Sequence, residues 1–187
     1  MPQLSLFDTP ERVVVFDLET QRSFLEVGGR GNLARMGVSL AVMYDYAADA
    51  YRTFFEPDME RLIDELLAST LVIGYNVKGF DYPVLSAYRS GGWHRKLPTL
   101  DLMEHLADRL GFRIGLDNVA GATLGKGKSG SGLDALRWFK EGRMDLIETY
   151  CRDDVEVTRR VYEFGKANRH VKFREKNGEV RTVGVSW

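Results

Sequence analysis

Two carboxylates lie one residue apart at the end of the apolar stretch RVVVFDLET, residues 12–20. The β-branched, aromatic and aliphatic residues of this stretch predict a buried strand, and the two-residue period of a strand points Asp17 and Glu19 to the same side. Two buried like charges are unfavourable unless a cation lies between them, and carboxylate oxygens suit a divalent metal. The pair therefore predicts a metal site. The alternative is a strand that simply ends with its acids in water.

A third carboxylate follows a second apolar stretch. Residues 71–75, LVIGY, predict a short buried strand, and residues 79–89 predict a helix that carries Asp81 in its first turn. The helix dipole alone favours an acid at this position. At the C-terminal end of a strand, where open α/β sheets place their sites, Asp81 would also join the first two acids.

Tyr150 and Asp154 form the third candidate group. They are four residues apart in a long helix predicted for residues 144–167, so they share one face, whereas Asp153 is turned about 100° away. This helix can present a phenol and a carboxylate to the same point. The alternative is a buried tyrosine beside a surface acid.

The rest of the pattern predicts the elements of an α/β fold that position these groups. Residues 37–46 and 50–55 predict two strands of an antiparallel hairpin that pairs with the first strand. Asp101 and Glu104 match a capping box at the start of another helix. The sequence also predicts helices at 58–68, 116–124 and 133–139, a strand at 97–100, and a C-terminal hairpin within 171–185 that turns at Asn177-Gly178.

Three segments, FDLET, GYNVKGFDYPVL and YCRDDVEV, occur in this order and together resemble the exonuclease motifs of the DEDD superfamily. The resemblance is to the proofreading domain of family-B DNA polymerases in particular, and it includes LDNVAGATLGKGK at residues 116–128. The position five residues before the final Asp is Thr149 rather than His, and the Tyr-x3-Asp spacing is that of the tyrosine subclass. The resemblance covers residues 12–165.

This resemblance implies a ribonuclease H-like fold, with a central mixed five-stranded sheet whose first three strands are antiparallel and which is flanked by helices. It implies two divalent metal ions, Mg²⁺ or Mn²⁺, bound by Asp17, Glu19, Asp81 and Asp154. Asp17 would bridge the ions, Glu19 and Asp154 would hold the nucleophile-side ion, and Asp81 would hold the other. Tyr150 would orient the attacking water, because a phenol with an ordinary pKa of about 10 is a poor general base at neutral pH.

The implied activity is 3′–5′ exonucleolytic hydrolysis of phosphodiester bonds at single-stranded ends, with DNA favoured over RNA. Asn76 and Phe80 are candidate contacts to the terminal nucleotide, Phe80 by stacking, although each also suits a turn or packing role. Lys126 and Lys128 are candidate contacts to the phosphate backbone, or part of a solvated loop. Three alternatives remain open: an exoribonuclease, an inactive nucleic-acid-binding module, and an interaction domain of a larger helicase or polymerase assembly.

Length and composition favour one soluble domain. We divide the 187 residues into an N-terminal peptide (1–10), an exonuclease domain (11–168) and a basic C-terminal hairpin (169–187). The single cysteine, Cys151, excludes an internal disulfide and favours the reducing cytoplasm. No apolar run approaches the ~18 residues that a membrane span needs, so we expect no membrane partner.

Charge is distributed unevenly along the chain. Residues 1–90 carry 8 Lys and Arg against 13 Asp and Glu, whereas residues 91–187 carry 18 against 14. The excess is concentrated in residues 159–181, which contain eight cations and three acids. A cationic stripe beside an acidic pocket fits a metal-dependent enzyme that acts on a polyphosphate chain, and a solvated face is the alternative.

The N-terminal peptide resembles the short motif with which bacterial proteins bind the DNA sliding clamp. The residues are Gln3, Leu4, Ser5, Leu6 and Phe7. Leu6 and Phe7 would anchor the peptide in an apolar pocket while Gln3 supplies a polar contact. The alternative is an extra edge strand or a segment that covers the core.

Overall fold

The computed structural model describes residues 11–125 and 132–187, and a five-stranded mixed sheet lies at its centre. The order across the sheet is β3-β2-β1-β4-β5, in which β1 to β3 are antiparallel and β4 and β5 run parallel to β1. A separate antiparallel hairpin consists of β6 and β7. The strands are β1 (Val13–Thr20), β2 (Val38–Asp45), β3 (Ala50–Phe55), β4 (Leu71–Gly74), β5 (Thr99–Asp101), β6 (His170–Arg174) and β7 (Val180–Gly184).

Helices cover both faces of the sheet. They are α1 (Met59–Leu67), α2 (Asp81–Leu85), α3 (Leu102–Leu110), α4 (Leu116–Leu124), α5 (Gly132–Lys140) and α6 (Met144–Asn168), with 3₁₀ turns at Arg30–Arg35, Glu56–Asp58 and Trp93–Lys96. Helix α1 is strongly amphipathic and buries Leu62, Ile63 and Leu66 against the sheet. Within the described residues, no helix combines the length and the apolar character needed to cross a bilayer.

Strand β1 divides the core in two, because its side chains alternate between the two faces of the sheet. Val14 and Phe16 pack in the cluster that contains α1 and α2. Val15 faces the opposite cluster, which contains α4, α6 and the β6-β7 hairpin. Asp17 and Glu19 follow Val15 at intervals of two residues and so lie on the same face of the strand. The alternation of a single strand therefore directs both acids towards α6.

The predicted fold class is confirmed: the sheet is mixed, its first three strands are antiparallel, helices flank it, and a hairpin ends the chain. The largest difference is α2, which covers residues 81–85 rather than the predicted 79–89. After Leu85 the chain continues in tight turns, because the Tyr88 hydroxyl accepts a hydrogen bond from Val38 N at 2.8 Å and donates one to Glu56 at 2.8 Å. These tertiary bonds end the helix early.

The C-terminal hairpin belongs to the core. Val171 and Val183 are buried in the same cluster as α6. Side chains of α4 form hydrogen bonds with the free backbone groups on the outer edge of β6. Asn118 accepts from the N–H of Arg174 at 2.6 Å and donates to its carbonyl at 2.8 Å. Thr123 forms the same pair of bonds with Lys172. The hairpin is therefore fixed to the domain along its length.

Candidate active site

The acids of the first and third motifs meet where β1 faces α6. One carboxylate oxygen from each of Asp17, Glu19 and Asp154 lies within 4.8 Å of the other two. Asp17 is half-buried and Asp154 is only 4% exposed, so their charges are poorly screened by water. Three carboxylates this close repel one another strongly, and a divalent cation is the group that relieves such repulsion.

The candidate functional side chains of α6 lie on one buried face of the helix. Tyr150 and Asp154 both lie on that face, whereas Asp153 is exposed, as the helical spacing predicts. Between them, the buried thiol of Cys151 is 3.4 Å from the carbonyl oxygen of Asp17 and 3.8 Å from its carboxylate. Burial and the neighbouring carboxylates raise the pKa of the Cys151 thiol, so it stays protonated and donates towards Asp17.

Asp81 is the first residue of α2 and is 2% exposed. Burial, and secondly the charge of Asp17, raise the pKa of the Asp81 carboxyl well above its ordinary value, whereas hydrogen bonds from its own backbone N–H and that of Leu18 act in the opposite direction. Its Oδ1 atom has no hydrogen-bond partner among the described residues. A buried carboxylate oxygen without a donor requires either a proton or a cation.

A cleft of about 380 Å³ brings these groups together. Asp17, Glu19, Asp81, Tyr150 and Asp154 all line it, and so do the predicted substrate contacts Asn76 and Phe80. The Asp81 carboxyl lies in the same cleft but is not part of the three-acid cluster around Asp17. The motif residues thus converge on one cleft, with three acids clustered and one set apart.

The comparisons with known proteins agree with this architecture. A family model described as RNase_H superfamily matches residues 14–164. The chain belongs to the RNase H superfamily. No curated protein matches the chain.

The match is made at the level of the superfamily, so the tyrosine subclass and the likeness to polymerase proofreading domains stay predictions. RNase H-like nucleases use divalent metals, and this RNase H-like domain has the residues to hold them. The unpartnered Oδ1 of Asp81 and the cluster around Asp17 are oxygen donors of the kind that Mg²⁺ and Mn²⁺ prefer. The donor set therefore fits a divalent cation.

The loop after β4 is held in place by an acid whose second role the sequence did not reveal. Asp101 caps α3, as predicted, by accepting hydrogen bonds from Met103 N and Glu104 N. It also accepts the N–H groups of Asn76 and Lys78, at 2.8 and 3.0 Å. These bonds hold Asn76 in a left-handed backbone conformation, with φ of 70°. This second role depends on the parallel pairing of β4 with β5, which brings the ends of the two strands together.

The rim of the cleft contains apolar residues that sequence reasoning missed. Phe24 contacts Phe80 edge to face at 5.8 Å, and Leu133 and Leu136 of α5 line the same cleft. Trp138, also of α5, packs its ring against that of Tyr150 at 6.1 Å. Helix α5 carries no recognisable motif, and only the tertiary fold brings it to the site.

A salt bridge joins α5 to the loop after β1. Lys140 contacts Glu26 at 2.8 Å, and this contact, together with hydrogen bonds from Ser23, lowers the pKa of Glu26 to about 2. The predicted phosphate contacts Lys126 and Lys128, and the predicted clamp peptide, lie outside the described residues.

Proposed function

We propose that this RNase H-like domain is a metal-dependent 3′–5′ exonuclease that acts on single-stranded DNA ends. The observation that carries the proposal is the convergence of Asp17, Glu19 and Asp154 within 4.8 Å, in a cleft that Asp81 and Tyr150 also line. The order of the motifs along the chain and their spacing support the tyrosine subclass.

The four acids would divide between two divalent cations. Glu19 and Asp154, with Asp17, would hold the cation on the side of the attacking water, and Asp17 and Asp81 would hold the second. Two bound divalent cations would polarise the scissile phosphate and stabilise the leaving 3′ oxygen of an in-line displacement. The Cys151 thiol donates towards Asp17, 3.4 Å from its carbonyl oxygen and 3.8 Å from its carboxylate.

Tyr150 orients the attacking water through its hydroxyl. The ring is 3% exposed and packs against Trp138, so the hydroxyl has little freedom to move. A fixed phenol can align a water molecule for attack without taking its proton at neutral pH. The proton leaves to solvent or to a carboxylate of the cluster.

The apolar rim supports a preference for an unpaired terminal nucleotide. Phe80, which lines the cleft beside Phe24, offers an aromatic ring on which a base can stack only when it is released from a duplex. Asn76 lines the same cleft and carries polar groups that suit the sugar or phosphate. We favour DNA because the likeness is to DNA polymerase proofreading domains.

The activity is tested with 5′-labelled single-stranded DNA and RNA of equal sequence, in Mg²⁺, Mn²⁺ or EDTA. We expect a ladder of products that shortens from the 3′ end of DNA, depends on metal and is absent in EDTA. A faster reaction on RNA would assign an exoribonuclease instead. Absence of hydrolysis of either strand in both metals would contradict the nuclease proposal.

We also propose that the N-terminal peptide binds the DNA sliding clamp. The proposal is supported by the sequence of residues 3–7 alone. A clamp-bound nuclease would have a higher effective concentration at DNA ends without any change to its active site.

A further inference from the structure

A second groove lies between the loop after α3 and the turn of the β6-β7 hairpin. Its volume is about 840 Å³, and its lining includes Phe112, Arg113, Asn118, Arg174, Lys176 and Asn177. Its residues come from outside the three motifs, and most belong to the hairpin or to the loop between α3 and α4. We call it the hairpin groove.

The hairpin groove is linked to the acidic cleft through shared lining residues. Asn76 lines the cleft and also a small pocket of about 250 Å³, and Arg113 lines both that small pocket and the hairpin groove. The two residues are in direct contact, because the Arg113 guanidinium donates a hydrogen bond to the Asn76 side-chain oxygen. Asn76 and Arg113 thus form a connected series of lining residues from the acidic cleft to the hairpin groove.

The hairpin groove is positively charged. Arg113, Arg174 and Lys176 are exposed, and among the described residues none of the three makes an ion pair with a carboxylate. The one acid in its lining, Glu175, is neutralised by Arg181 at 3.0 Å. Three cations without carboxylate partners in one groove attract an anionic chain.

The small pocket between the cleft and the groove carries charges of both signs, with Lys78 and Arg113 beside three acids. Of these acids, Asp101 accepts four backbone N–H groups, Glu104 is paired with Lys78, and Asp108 is the third. The guanidinium of Arg113 lies at the junction.

An aromatic side chain lies beside these cations. Phe112 is 52% exposed, although its edge contact with Phe173, at 6.2 Å between ring centres, holds the ring in place. An exposed ring beside cations is the combination by which proteins bind single strands, because bases stack on the ring while cations contact phosphates. The bonds of Asn118 and Thr123 to β6 keep the two walls of the groove at a fixed separation.

We propose that the hairpin groove binds the single-stranded segment on the 5′ side of the terminal nucleotide, with phosphates on Arg113, Arg174 and Lys176 and a base on Phe112. The direction of the strand rests on the proposed function, since that function places the 3′ end in the acidic cleft. The groove gives the enzyme affinity for strands longer than the cleft itself can hold.

The test measures binding rather than hydrolysis. Fluorescence anisotropy of a 5′-fluorescein trinucleotide and dodecanucleotide of thymidine is recorded in EDTA for the wild type, Arg174→Ala/Lys176→Ala and Phe112→Ala. The matched control is Arg95→Ala/Lys96→Ala, which removes two exposed cations from the turn before β5, at the opposite end of the parallel strands from the acids. Thermal melting confirms that each variant is folded.

We expect the hairpin variant to lose affinity for the dodecanucleotide while the control binds as the wild type does. Two lost phosphate contacts should reduce the log–log salt slope by about 1.4, at about 0.7 per contact on single strands. Phe112→Ala should weaken binding of the longer strand about five-fold or more. In each case the trinucleotide should be affected much less, because it does not extend to the groove.

An unchanged salt slope and affinity in folded Arg174→Ala/Lys176→Ala would overturn the inference, and so would equal losses for both strand lengths. A wild type that does not bind the dodecanucleotide would overturn it as well. These outcomes can be distinguished from failure of the proposed function. If the protein hydrolyses 3′ ends but the groove variants bind normally, the nuclease proposal stands and the groove inference fails. If the protein binds strands through the groove but does not hydrolyse them, the nuclease proposal fails.

Discussion

At the scale of single residues, Asp81 has the least ordinary environment in the cleft. It is buried, it is close enough to Asp17 for the two charges to repel, and one of its oxygens has no donor among the described residues. A side chain chosen for stability alone would not combine these features, because each of them opposes ionisation. The arrangement becomes favourable once a divalent cation neutralises the two carboxylates.

The raised pKa of Asp81 contributes a pH dependence to the stability of the metal-free protein. The unfolded chain releases this proton near the ordinary Asp pKa of about 4, whereas the folded chain retains it to higher pH, so the Asp81 contribution to stability falls as pH rises above 4. Asp81→Asn removes this penalty and keeps an acceptor for the Leu18 N–H. We expect the metal-free variant to be more stable than the wild type at pH 7, with a smaller difference below pH 4.

Urea titrations in EDTA at the two pH values measure this difference. A variant less stable than the wild type at pH 7 would contradict it. Added Mn²⁺ should raise the melting temperature of the wild type more than that of Asp81→Asn, because a ligand stabilises only the state that binds it.

Tyr150 is expected to act on the water and not on the strand. Tyr150→Phe keeps the ring packing against Trp138 and removes only the hydroxyl. We expect hydrolysis to slow by about 10- to 10³-fold, the range for one positioning group, with little change in affinity for single-stranded DNA. Single-turnover rates and anisotropy measure the two quantities separately. Loss of strand binding with an unchanged single-turnover rate would make Tyr150 a substrate contact.

At the scale of elements, the orientation of the acids on β1 and α6 could be predicted, because the side-chain periodicity of a strand or helix is a local property of the sequence. The alternation of β1 placed Asp17 and Glu19 on one side, and the helical spacing of α6 placed Tyr150 and Asp154 on one face. Periodicity depends only on the chain itself. The resemblance to known motifs then indicated that the two faces would meet.

The features that could not be predicted depend on contacts between distant elements. The early end of α2 results from the bonds of Tyr88 to β2 and Glu56, and the second role of Asp101 results from the pairing of β4 with β5. The rim residues of α5 carry no motif at all. Local sequence encodes which face a side chain takes, but not which element lies opposite it.

The end of the hairpin gives a prediction about packing at the element scale. The Trp187 ring donates to the Tyr162 carbonyl at 2.9 Å and lies against Gly165 of α6, where an added Cβ would overlap the ring. Gly165→Ala should therefore lower stability by about 1–3 kcal/mol, partly offset by the ~1 kcal/mol that Ala gains in a helix. Gly121→Ala in α4 is the control, because a Cβ there meets no heavy atom of the described residues within 4 Å, and it should raise stability.

Denaturant midpoints of these variants, with and without Trp187→Ala, separate clash from helix propensity. In the Trp187→Ala background both alanine substitutions should be stabilising. A Gly165→Ala protein that is more stable than the wild type while Trp187 is present would show that the ring does not occupy this position.

At the scale of the whole molecule, the first prediction concerns the N-terminal peptide. We expect Leu6→Ala/Phe7→Ala to abolish binding to a purified bacterial sliding clamp without changing the melting temperature, because the peptide would act as a tethered anchor. Surface plasmon resonance and thermal melting measure the two properties. A large loss of melting temperature, with no clamp affinity in the wild type, would place these residues in the core instead.

The second prediction at this scale concerns the central claim, that the fold assembles its carboxylates into a metal-dependent hydrolytic site. The adjacent acids Asp153 and Asp154 provide a matched pair, because Asp154 is buried in the cleft and Asp153 is exposed, turned about 100° away around α6. Each acid is replaced by Asn, so that the change in charge and size is the same in both variants. Hydrolysis of 5′-labelled single-stranded DNA is then followed in Mn²⁺. We expect Asp154→Asn to abolish the 3′-shortening ladder and Asp153→Asn to retain the wild-type rate. Equal rates in the two variants would contradict the account.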